Sequence, residues 1–119
     1  MKSKLLHEGT EKTFAVIFEK GDEVASGLLD FAKAHSLRGS HFTAIGAFER
    51  VTLGFFERER KDYKKIEFNE QTEVLSLIGD IALKENGEPQ VHAHVVVASV
   101  DEAADAMKIL DEPAQEGRP

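Results

Sequence analysis

The sequence predicts an α/β (α+β) fold in a single domain over residues 1–119, and three observations predict it. Short runs rich in β-branched and aromatic residues recur along the chain, one segment repeats apolar residues at helical spacing, and turn-forming dipeptides separate them. The length suits one core, and no linker-like stretch divides it.

The elements follow in chain order. Phe14-Ala15-Val16-Ile17-Phe18 reads as a buried strand that ends at the turn signal Glu19-Lys20-Gly21-Asp22. Asp22 is placed to cap a helix, because Val24, Leu28, Phe31 and Ala32 share one helical face until Ser36–Gly39 breaks the pattern. Phe42–Phe48 and Val51–Phe56 read as two strands with only Glu49-Arg50 between them, which predicts a hairpin. Gly46 and Gly54 interrupt these strands, either as packing relief or where another backbone approaches closely. Ile66 and Phe68 alternate with charged residues in a short strand. Val74–Leu83 is the most apolar segment and is expected at the centre of the sheet, followed by the Asn86-Gly87 turn and a strand over Gln90–Val97. After Ser99 the pattern becomes helical, with Ala103, Ala104, Ala106, Met107, Ile109 and Leu110 before Pro113.

Composition excludes several classes of function. There is no cysteine, so disulfides, thiolate nucleophiles and sulfur-based zinc sites are ruled out, and a reducing compartment fits. Neither a signal peptide nor an apolar run of bilayer length is evident, which predicts a cytoplasmic protein without a membrane partner. The net charge of −7, from 22 acidic and 15 basic residues, disfavours tight autonomous binding to many phosphates. No Gly-x-Ser-x-Gly elbow, Gly-rich phosphate loop or His-Glu-x-x-His helix is found. Gly117-Arg118-Pro119 matches the core of a minor-groove AT-hook, but Glu116 stands where a cation is wanted and the match is set aside.

Three groups of residues could carry chemistry. His92 and His94 are one residue apart on a predicted strand, so both imidazoles leave the same face, roughly 6 to 7 Å apart at the backbone. That spacing suits zinc, iron or another borderline divalent metal, with a third ligand from His41, a carboxylate or a neighbouring subunit. Two histidines satisfying hydrogen bonds on a half-buried face is the competing reading. Asp80 lies in an apolar strand where a buried carboxylate needs a partner; a histidine or metal link and a solvated bulge are the alternatives. Arg58, Arg60, Lys61, Lys64 and Lys65 form the only basic cluster and could meet an anion or nucleic acid, through Arg58, Arg60 and Lys64 above all. Glu57, Glu59 and Asp62 interleave with them, as they would on a solvated hairpin end.

Taken together, Phe42–Phe48, Glu73–Ala82 and Gly87-Glu88-Pro89-Gln90-Val91-His92-Ala93-His94-Val95 resemble the PPC (plants and prokaryotes conserved) domain over about residues 10–98. The Gly-x-Pro turn before His-x-His is the most specific part. The resemblance implies a mainly antiparallel mixed sheet flanked by one or two helices, assembled as a homotrimer. It implies a binding module associated with DNA or a regulatory protein, with His92 and His94 matching the family's histidine pair. A metal-dependent enzyme acting on a small molecule through His92 and His94, with Asp80 in support, is the alternative. The family pattern continues into Gly-Gly-His-Leu and another strand, whereas this chain runs through Ala98–Glu102 into residues 101–119, which carry six acids against two cations. The third histidine is therefore missing, and a truncated or frameshifted relative is expected, its tail replacing a strand or leaving a sheet edge open.

Overall fold

A computed structural model describes residues 1–99. The helical pattern read after Ser99 lies outside the described residues. Within them, strands and one helix follow in the order β1 (Lys2–Glu8), β2 (Lys12–Ile17), α1 (Val24–Ala34), β3 (Gly39–Phe48), β4 (Val51–Glu57), β5 (Asp62–Phe68), β6 (Thr72–Leu83) and β7 (Pro89–Ser99). The predicted α/β class holds, and the sheets are mostly antiparallel: β1 with β2, β4 with β5, and a three-stranded sheet in the order β3-β6-β7. The described residues form two compact units, Met1–His41 with Gly79–Ala93, and Phe42–Ile78 with residues 94–99.

In the first unit, β2 ends at Ile17 and the helix starts at Val24, as the apolar spacing requires. Leu28, Phe31 and Ala32 are buried, and Phe14 of β2 meets Phe31 edge-on with ring centroids 5.1 Å apart. Burial of Leu28 and Phe31 contributes about 1.5–3 kcal/mol each. His35 extends this cluster, 4.2 Å from Phe31 and 4.9 Å from Phe14 between centroids.

The two ends of α1 differ in how they are closed. Asp22 does not cap the helix: Glu23 occupies the N-cap position and makes no side-chain cap bond. The Asp22 carboxylate instead accepts the Glu19 amide at 2.8 Å and pairs with the α-amino group of Met1 at 2.8 Å, so the turn and the N-terminus take it away from the helix. The C-terminus closes with a Schellman motif, in which Leu37 N–H donates to Ala32 O at 2.9 Å and Ser36 N–H to Lys33 O at 3.3 Å. Ser36 adopts φ 53°, a left-handed conformation normally taken by glycine at this position.

β1 is the strand that apolar patterning missed. Its seven residues are all exposed, and its register against β2 pairs Lys2 with Ile17 and Glu8 with Lys12, with a shift between Leu5 and His7 that marks a bulge. Pairing to β2, rather than burial of a face, defines this strand.

The expected hairpin between residues 42–48 and 51–56 does not form. The ladder partner of β4 is β5, from Val51↔Phe68 to Glu57↔Asp62, while β3 joins β6. Gly46, at φ 154°, lies in backbone space that other residues rarely enter, just before this change of partner. β6 takes the central position predicted for it, and the turn to β7 uses Gly87 at φ 85°, with Gly87 N–H bonded to Lys84 O and Lys84 N–H to Glu88 O. Asn86 Oδ1 accepts the Glu88 amide at 3.0 Å, the local bond for which asparagine is favoured in turns. Lys33 at the end of α1 reaches Glu88 at 3.6 Å in the first unit.

Two measurements check these assignments. Ser36→Gly relieves a left-handed serine and is expected to raise unfolding stability by about 1 kcal/mol in urea titration; no gain would contradict the C-terminal assignment. The bonds to Asp22 from the N-terminus first, and from the Glu19 amide second, lower its pKa from 3.8. The unfolded chain therefore binds a proton at higher pH than the folded one, and this contribution is present above the ordinary carboxylate range and is lost as pH falls through the lowered value. Asp22→Asn is expected to flatten that part of the acid limb when thermal midpoints are followed from about pH 5 to about pH 2.

Candidate functional site

Alternation along β7 sends His92 and His94 to one face, and both are exposed. The half-buried environment expected for them is absent, because the intermediate positions Val91, Val95 and Val97 lie on the opposite parity of the strand. His41 on β3 and Asp80 on β6 are exposed as well. For Asp80 the reason is a change of side along β6: even-numbered Thr72 and Val74 are buried, but farther along Ile78 and Asp80 on that parity are open while Ile81 is buried. Solvent therefore satisfies the carboxylate, and burial does not force a partner on it.

The donor chemistry suits a borderline metal only in part. Two neutral imidazoles supply two ligands, and among the described residues no group of three or more His, Cys, Asp or Glu side chains could hold a metal ion. The histidine pair in one chain is thus short of a closed coordination shell.

The basic residues occupy the β4–β5 hairpin. Arg58–Lys61 form its turn, with Lys61 left-handed at φ 50°, and Lys64 stands opposite Phe55. Arg60 reaches Glu57 at 3.6 Å, and Asp62 Oδ1 accepts the Tyr63 amide at 2.8 Å. Glu57 thereby offsets the charge of Arg60, while Asp62 stays a charged neighbour of the cluster.

Sequence reasoning missed what stands between those cations. Phe56 and Tyr63 face each other across the ladder with centroids 5.3 Å apart and planes inclined by 59°. The Tyr63 ring also covers Gly54, where an added Cβ would meet Cδ1 at 3.4 Å. The signal was present, since Phe56 and Tyr63 lie equally far from the Arg58–Lys61 turn. The mistaken pairing of β4 with β3 hid it.

A separate feature lies in the second unit. Thr43, Ala44 and Ile45 of β3 and Leu75, Ser76, Leu77 and Ile78 of β6 line an open, mainly apolar depression. Ile45 is 84% exposed, and Leu75 and Ile78 are about half exposed. No described helix is long and apolar enough to cross a membrane.

Comparison with known proteins places this geometry. The model of the Plants and Prokaryotes Conserved domain matches residues 6–105. A plant- and prokaryote-conserved protein from Pyrococcus horikoshii superposes with a TM-score of 0.66 at 33% identity, over 71% of this chain and 58% of that one. A "putative DNA-binding protein" from Bacteroides thetaiotaomicron gives 0.59 at 32% identity, over 64% of this chain and 52% of that one. A metal-containing protein from Archaeoglobus fulgidus gives 0.66 at 27% identity, over 83% and 63% of the two chains. This chain thus spans less than two thirds of the length of each of these structures. No curated protein matches it. The family match across residues 6–105 and the shared mostly antiparallel architecture place the chain in the Plants and Prokaryotes Conserved (PPC) domain family.

Proposed function

We propose that the chain works as a homotrimeric binding module, with DNA or a DNA-associated regulatory protein as partner, rather than as a self-contained enzyme. The observation that carries this reading is the apolar surface around Ile45, Leu75 and Ile78. Large apolar groups grouped in this way are costly to leave in water and are characteristic of surfaces that meet another chain. Self-association supplies the cover with no additional component, and closed symmetry is the usual outcome. The resemblance to a structure described as DNA-binding supports the choice of partner.

Native mass spectrometry checks the assembly. A mass three times that of the 13.2 kDa chain is expected, and Ile45→Glu, which places a charge on the exposed strand, is expected to shift the protein to monomer while preserving its circular dichroism. A wild-type monomer at micromolar concentration would remove this reading.

The exposed His92 and His94, together with the likeness to a metal-containing protein, favour a second reading in which two copies complete a metal site. The third donor, His41 or Asp80, would then come from a neighbouring subunit, so metal retention would follow assembly. Metal analysis of purified protein is expected to find zinc or iron in the oligomer and to lose it in the His92→Ala, His94→Ala double variant. Retention by that variant would exclude the pair as ligands.

A further inference from the structure

We infer that the β4–β5 hairpin is a stacking platform for single-stranded nucleic acid, with Phe56 and Tyr63 receiving the bases and Arg58 and Lys65 meeting the phosphates. The inference rests on the nucleic-acid reading above and specifies its site and strand form. Antiparallel register puts Thr52, Gly54 and Phe56 on one face with Glu67, Lys65 and Tyr63, and every one of these residues is exposed. Tyr63 is 63% and Phe56 47% exposed, although each ring could have been hidden in a larger core.

Gly54 gives this face its shape. Tyr63 leans over the position where a side chain would begin, and Lys65 stands opposite on the neighbouring strand. Between Phe56 and Lys65 the ladder therefore carries an aromatic surface with a clear approach beside it. A nucleobase offers a flat π-face to such a surface, and its phosphate fits a cation one or two residues away. A base within a duplex has both faces covered, so this arrangement selects unpaired strands.

Charge agrees with that partner. The hairpin, residues 51–68, contains five cations and four acids, a net of +1 in a chain of −7. Arg60 is partly engaged by Glu57 at 3.6 Å, and the Asp62 carboxylate is bonded to the Tyr63 amide. Lys65, on the face of the ring pair, and Arg58, at the start of the turn, remain as the cations beside it, while Lys64 lies with Phe55 on the opposite face.

Fluorescence anisotropy with a labelled oligothymidylate of about 12 nucleotides, its duplex with oligodeoxyadenylate, and a polyglutamate peptide tests the inference. The single strand is expected to bind more tightly than the duplex or the peptide. Tyr63→Leu, which keeps an apolar side chain, is expected to weaken the single strand by about tenfold with little change in salt dependence. Lys65→Gln is expected to weaken it less and to reduce the salt slope by about 0.7. Equal affinity for the duplex, with no effect of Tyr63→Leu, would overturn the platform and leave a duplex-binding module standing. Equal binding of polyglutamate would reduce the hairpin to a contact for acidic polypeptides and overturn the inference. Failure of every probe to bind in about 50 mM salt would remove both this inference and the nucleic-acid reading.

Discussion

A β-strand presents side chains on two faces, and the described residues offer little with which to cover both. Its one described helix has 11 residues, whereas β3, β6 and β7 have 10, 12 and 11. Leu28, Phe31 and Ala32 bury one stripe of that helix, but Ile45, Leu75, Ile78 and Val96 stay open to solvent on the long strands. Burial is the main favourable term in folding, and small domains obtain too little of it from their own chain. The exposed strand surface is what the proposed assembly would cover: the residues that make good strands also leave apolar area in water.

That constraint also separates the roles of the two exposed sets of rings and aliphatic groups. Ile45, Leu75 and Ile78 line a depression with only Thr43 and Ser76 to offer side-chain hydrogen bonds, and this chemistry suits a protein surface of similar composition. Phe56 and Tyr63 stand instead among cations on a hairpin where every residue of their face is exposed. An aliphatic partner would leave Lys65 desolvated without compensation, whereas a phosphate-bearing partner would satisfy it as its bases covered the rings.

Much of the fold was legible because periodicity and turn chemistry act locally. The stripe Val24, Leu28, Phe31 and Ala32 gave α1, the run Val74–Leu83 gave the central strand, and Asn86-Gly87 gave the turn into β7. The family was legible for a related reason, since the Gly-x-Pro turn and the His-x-His strand lie close together in the chain. Pairing was less legible. The two residues between β3 and β4 suggested a hairpin, yet β4 turns to β5 across Arg58–Lys61, because choosing a partner depends on the whole sheet. β1 escaped notice because all of its residues are exposed and no apolar alternation marks it. For the histidines, sequence gave the shared face correctly but not its exposure, which is set by how β7 meets its surroundings.

The acidic balance of the chain bears on how the hairpin could hold a polyanion at all. At physiological salt, charges beyond about 8 Å are strongly screened, so the net −7 of the chain acts mainly as a weak long-range repulsion, while the hairpin, with five cations against four acids, is slightly positive at contact. A surface of this kind has little electrostatic steering and few counterions to release. Its affinity would come chiefly from short-range terms, and stacking on the Phe56–Tyr63 pair is one that scales with each base bound. Added subunits strengthen the same logic: several hairpins carried by one oligomer multiply weak stacking contacts along a flexible strand, whereas they would meet a stiff duplex only if its geometry happened to match theirs. The proposed assembly through the apolar depression and the proposed recognition through the aromatic hairpin would thus answer a single shortage, that of binding energy available to any one small acidic chain.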